Sequence, residues 1–77
     1  MLKKLVEVLV RNLVDAPEQV QVNAVETPRS VALEVRVASP DMGKVIGRQG
    51  RVAKAVRSVV KAAAVKDGRR VTVEFLP

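Results

Sequence analysis

Leu2, Leu5, Val6, Leu9, Leu13 and Val14 recur at intervals of three and four, which gathers them on one side of a helix and leaves Lys3, Lys4, Glu7 and Arg11 on the other. The alternation Val6-x-Val8-x-Val10 would suit a strand, but the run from 2 to 14 exceeds usual strand length. A helix is therefore expected, ended by Pro17, because the residue before a proline is pushed out of the helical region. From 19 to 26 the period becomes two, with Val20 and Val22 set against Gln19, Gln21 and Asn23, and Thr27-Pro28-Arg29-Ser30 then reads as a turn. The clearest strand follows: Val31, Leu33, Val35 and Val37 face one way, and Ala32, Glu34, Arg36 and Ala38 the other.

Ser39-Pro40-Asp41 is suited to open a helix, with Ser39 or Asp41 available to cap its first amides. The segment Met42 to Ile46 makes only a short helical turn before Gly47-Arg48-Gln49-Gly50 interrupts it. Strong helix formers and valines then run from Arg51 to about Lys66, and Asp67-Gly68 supplies a stop. In the last strand, Arg70 to Leu76, Val71, Val73 and Phe75 alternate with Arg70, Thr72 and Glu74. The order is α-β-β-α-α-β. A tight turn makes the first two strands antiparallel, and a helical crossover allows the second and third to lie parallel. The expected fold is α+β: a three-stranded mixed sheet centred on strand 31–38, with three helices on its apolar face.

Seventy-seven residues predict one domain over 1–77. Neither Cys nor His is present, which removes disulfides, the usual metal ligands and the usual general base. With no bilayer-length apolar stretch and no long apolar leader, a soluble cytoplasmic protein is expected.

The net charge of +6 is unevenly spread. Between Lys44 and Arg70 nine bases face one acid, whereas the other fifty residues hold five bases and seven acids. On the helix from Arg51, the residues Val52, Val56, Val59, Val60 and Ala63 share one arc, and Arg51, Lys54, Arg57 and Lys61 another. The basic arc begins where the glycine turn ends, beside the free amides of a helix start, and so predicts a polyanion-binding surface. Gly47 and Gly50 allow a phosphodiester backbone close to the main chain, with Arg48 and Gln49 between them to meet phosphate oxygens.

Val45-Ile46-Gly47-Arg48-Gln49-Gly50-Arg51 resembles the signature loop of KH domains, RNA-binding modules whose G-x-x-G turn clamps about four nucleotides. The element order is that of the type II KH fold. The longer stretches Asp41 to Arg51 and Ala53 to Arg57 resemble the KhpA family of small bacterial stand-alone KH proteins. This resemblance covers essentially the whole chain. It implies a binder of single-stranded RNA, an RNA chaperone or post-transcriptional regulator, paired as a homodimer or with a second KH protein, KhpB, and linked in some bacteria to cell-wall growth and cell shape. Its site would comprise Lys44, Ile46, Gly47, Arg48, Gln49, Gly50, Arg51, Lys54 and Arg57. One departure stands out: many KH domains carry a large aliphatic residue three positions after the second glycine, and Ala53 stands there. Ile46, Val45 and Val52 are the remaining candidates for a groove floor, with core packing the better reading for Val52.

Other functions find little support. The single aromatic residue, Phe75, is assigned to the core, which argues against recognition by base stacking on aromatics. Gly43 to Gly50 does not make a Walker A loop, and the dinucleotide fingerprint fails at Val45. Asp15 and Glu18 flank Pro17 without His or Cys and read as solvated loop acids. No enzyme, cofactor, metal, small-molecule substrate or membrane partner is expected. The competing function is a protein-interaction module, because Ala55, Ala62 and Ala64 widen the apolar arc of the long helix beyond what a core contact needs. Helix-turn-helix binding of duplex DNA fits less well, since such folds need no sheet.

Overall fold

The computed structural model describes residues 2–77; Met1, within the expected domain span, lies outside the described residues. The elements are α1 (Leu2–Arg11), β1 (Gln21–Glu26), β2 (Ser30–Arg36), α2 (Met42–Ile46), α3 (Arg51–Val65) and β3 (Arg70–Leu76). Single 3₁₀ turns occupy Pro17–Gln19, Ser39–Asp41 and Arg48–Gly50.

The sheet has the order β1-β2-β3. Strand β1 pairs antiparallel with β2 from Gln21↔Arg36 to Glu26↔Val31, and β2 pairs parallel with β3 from Ser30↔Arg70 to Arg36↔Leu76. The turn between β1 and β2 is closed by Thr27, whose hydroxyl accepts from the Ser30 amide at 2.9 Å while its own amide donates to the Ser30 carbonyl at 2.8 Å. This is the α+β architecture expected, with β2 in the middle. Val31, Leu33, Val35 and Val37 are all buried and join Leu2, Val6, Val10, Val22, Val45, Val56, Val60 and Val73 in one core. Burial of this apolar set is what offsets the chain entropy of so small a fold.

Two helices differ from expectation. Helix α1 stops at Arg11, short of Val14. Asn12 is the cause: its side-chain amide donates to the Val8 carbonyl at 2.7 Å, and the Leu13 amide turns tightly onto the Val10 carbonyl at 2.9 Å. An asparagine competing for the last carbonyls disfavours another helical turn. Pro17 therefore opens a 3₁₀ turn instead of ending the helix. The buried line of α1 is Leu2, Val6 and Val10, flanked by Leu5 and Leu9, while Leu13 remains 37% exposed.

In α3 the buried line is Ala53, Val56, Val60 and Ala64. The helix is thus rotated from the arc its valines suggested. Val59 is 47% exposed, whereas Val52 and Ala63 are half-buried and pack against the core from its margin. Alanines on the innermost line let a helix approach its neighbours closely, and the bulkier Val52 and Val59 turn toward α1, where both line a shared groove.

At the end of the molecule remote from the glycine turn, Arg69 donates to Glu26 at 3.0 Å and to Asp67 at 3.3 Å, tying the α3–β3 turn to the end of β1. These bonds, to Glu26 first and Asp67 second, raise the pKa of its guanidinium. Among the described residues no helix is long and apolar enough to cross a membrane.

Candidate nucleic-acid interface

The site grows out of the way α2 is anchored. Neither Ser39 nor Asp41 caps a helix with its side chain. Asp41 is instead 3% exposed, and its two carboxylate oxygens accept the backbone amides of Asp15 at 3.2 Å and Ala16 at 3.1 Å. The carboxylate thereby satisfies donors of the irregular α1–β1 connection and pins that connection to the start of α2. Asp15 is an exposed loop acid, as expected, and its carboxylate also pairs with the ammonium of Lys44.

One helical turn later the chain reaches the glycine corner. Gly47 has φ +76°, Gln49 +58° and Gly50 +74°, so three of four consecutive residues lie in backbone regions L side chains rarely adopt. Gly47 has a second constraint: a Cβ there would collide with the Val52 side chain and come within 2.9 Å of the Val52 amide nitrogen. Gly50 needs no side-chain-free space, since a Cβ there would meet nothing within 4 Å. Its role is conformational, as the left-handed residue that leads into α3.

The corner lies at the surface. Arg48 and Gln49 are exposed, and Gly47 and Gly50 half-exposed. The helix start is less open than expected, because the amides of Gly47, Gly50 and Arg51 already donate to the carbonyls of Gly43, Gly47 and Arg48.

Lys44, Arg48, Arg51, Lys54, Arg57 and Lys61 are all exposed, and they fall into two groups. Among the described residues Arg48, Arg51, Lys54 and Lys61 form no ion pair, leaving their charges available to an external anion. Lys44 and Arg57 are engaged. The hydrogen bond to Asp15 holds the Lys44 pKa above its ordinary value, against the opposing effect of desolvation. Arg57 donates its Nε–H to the Val73 carbonyl at 3.1 Å and lies 5.6 Å from the centre of the Phe75 ring. It thus bridges α3 and β3 above a cleft also lined by Lys61, Val71 and Thr72. Of the apolar candidates, Val45 is fully buried in the core, and Ile46 is half-buried at the end of α2. Ala53 is buried beneath the helix and presents nothing to a ligand.

A second surface feature lies on the opposite shoulder of α3. Leu9, Asn12 and Leu13 from α1 and Arg51, Val52, Ala55, Val56 and Val59 from α3 line an apolar groove of about 430 Å³. Of the alanines expected to widen the apolar arc of α3, Ala55 lines this groove, whereas Ala64 lies in the core. The α1 half was hidden because Leu9 and Leu13 fit the core stripe equally well. Among the described residues there is no cluster of three acidic, His or Cys side chains suited to a metal.

Comparison with known proteins agrees with this anatomy. A family model described as "KhpA/KhpB, KH domain" matches residues 3–75. "RNA-binding protein KhpA" of Clostridium acetobutylicum is 55% identical over 75 residues, covering 97% of this chain and all of that one. The protein of the same description from Aquifex aeolicus is 43% identical and covers 97% of this chain and 95% of its own. Among solved structures, Era in complex with MgGDPNP and a 16S ribosomal RNA segment superposes with a TM-score of 0.67 over 96% of this chain, at 19% identity. This chain spans 28% of that Era chain, and the likeness concerns the fold. With a full-length family match and relatives of this identity, the chain belongs to the KhpA/KhpB KH-domain family.

Proposed function

We propose that this protein is a non-catalytic binder of single-stranded RNA, acting in the cytoplasm as an RNA chaperone or post-transcriptional regulator. The observation that carries the reading is the surface corner at Gly47–Gly50 beside four cations that form no ion pair among the described residues. About four nucleotides pass over the turn. Gly47 and Gly50 admit the sugar-phosphate chain, Arg48, Gln49, Arg51 and Lys54 meet its oxygens, and Ile46 borders the bases. Lys44 joins them only by leaving Asp15. The names of the relatives support RNA as the ligand class.

The test is binding of short RNA and DNA single strands and duplexes at several salt concentrations, with the wild type and an R48D/Q49D variant. Asp at position 49 suits the left-handed backbone there, so the fold is retained. Single-stranded RNA should bind best, weaken steeply with salt and be lost in the variant. Unchanged affinity in the variant would reject the assignment.

The α1–α3 groove favours a second, compatible reading, a protein-interaction module. Its apolar surface, with Val59 and Leu13 exposed, suits a second copy of this chain or a second KH protein such as KhpB. Pairing two short RNA sites would raise avidity without any new RNA contact. Sedimentation at micromolar concentration should show a dimer that Val59→Glu dissociates. A strict monomer would remove the homodimer.

A further inference from the structure

The geometry points to Arg57 as a reader of bases that selects cytosine or guanine, not as a phosphate contact. The inference rests on the RNA-binding reading above.

Its basis is the way the side chain is held. The Arg70 amide donates to the Arg29 carbonyl, and the Leu76 carbonyl accepts from the Val37 amide, so the even-numbered residues of β3 direct their backbone groups toward β2. In a parallel pair the alternate residues point the other way, which turns the backbone groups of Val71, Val73 and Phe75 to the free edge of the sheet. Arg57 reaches that edge from α3 and binds the Val73 carbonyl through Nε at 3.1 Å, a partly buried bond. The Phe75 ring, 5.6 Å from the guanidinium carbon, supports the same group. A flexible cation that tracks phosphates has no such seat, and among the described residues Arg48, Arg51, Lys54 and Lys61 have no ion-pair partner.

The seat consumes one of the five guanidinium donors and fixes the plane of the others. The Nη1 and Nη2 groups then offer a preoriented pair of N–H bonds in the cleft between α3 and β3. Such a fork matches two neighbouring acceptors on one base. Guanine provides them through O6 and N7, and cytosine through O2 and N3. Adenine sets each ring acceptor on its amino-bearing edges beside a donor, and uracil separates its two oxygens by N3–H. The bases of a single strand expose these edges, unlike those of a duplex. Arg57 lies seven residues beyond Gly50, about 10 Å along the helix, which is more than one nucleotide past the corner.

The experiment uses five-nucleotide RNAs carrying each of the four bases at each position in turn. They are titrated by fluorescence anisotropy at several salt concentrations against the wild type, R57A, R57K and K54A, with thermal melting of each protein. The wild type should prefer cytosine or guanine about tenfold over adenine at one position. R57A and R57K should reduce that preference to within about twofold while keeping the salt slope, because lysine retains the charge but not the fork. K54A should keep the preference and lower the salt slope by about 0.7, the loss of one phosphate contact on a single strand.

Three outcomes overturn the inference. R57A that lowers the salt slope and spares the preference would make Arg57 a phosphate contact. R57A that weakens all sequences alike and melts earlier, with the preference intact, would make it only a brace between α3 and β3. A wild type that binds RNA without preference at any position would leave nothing for it to read. Failure of the wild type to bind any of these RNAs is a different result, and overturns the RNA-binding reading together with this one.

Discussion

The ammonium of Lys44 is paired with the carboxylate of Asp15, which stands on the connection between α1 and β1, 29 residues earlier in the chain. The pair sets one of the cations beside the glycine corner against an internal anion. Because the hydrogen bond to Asp15 raises the Lys44 pKa in the folded protein, its contribution to stability is fully present below the ordinary lysine pKa and disappears as pH climbs through the raised value. The pair should accordingly add no pH dependence to stability between pH 6 and 9, and Asp15→Asn should return the Lys44 titration toward its ordinary range, as followed by the side-chain carbon shift. The same substitution should tighten RNA binding a few-fold at low salt, by freeing the cation. Unaltered affinity in Asp15→Asn would mean that phosphates never reach Lys44.

Asp41 carries more weight for the fold than its neighbour. Its buried carboxylate accepts two successive amides, and Asp41→Ala leaves both without a protein partner. A loss of about 2 to 4 kcal/mol in denaturant unfolding is expected, with Asp41→Asn intermediate because it retains one acceptor oxygen. Equal stability of Asp41→Ala and wild type would show that water replaces the carboxylate at no cost.

The two glycines of the corner should respond differently to alanine. At Gly50 the penalty is that of a left-handed backbone alone, about 1 to 2 kcal/mol, because the space around it is empty. At Gly47 the backbone, with φ +76° and ψ 174°, lies in a region that is essentially glycine's alone, and a Cβ would also collide with Val52, so Gly47→Ala should be the more damaging by at least about 1 kcal/mol. Pairing Gly47→Ala with Val52→Ala should recover part of the difference. A double variant no more stable than Gly47→Ala would place the strain elsewhere.

Much of this architecture was legible in the sequence because β2 repeats a strict period of two and β3, after Gly68, alternates Val71, Val73 and Phe75 with polar residues. The glycine corner was legible because residues of different kinds coincide there: glycine for backbone freedom and arginine for charge. What escaped follows from degeneracy. In α3 valines occupy both the core line and its shoulder, so periodicity alone could not decide between Val59 and Ala64, and the tighter line went to the smaller residue. Arg57 sits in register with Arg51, Lys54 and Lys61, and only the closeness of β3 separates it from them. The partnership of Asp41 with residues 15 and 16 has no sequence signal, since it joins segments 25 and 26 positions apart.

Three positive φ angles within the four residues from Gly47 to Gly50 bend the corner into a shape that chains of ordinary side-chain-bearing residues rarely adopt. Under the proposed function, part of the entropic cost of binding is the bending of the RNA strand to this corner. Strands already bent to the right curvature, such as the loops of hairpins, should then be captured in preference to floppy tails of the same composition.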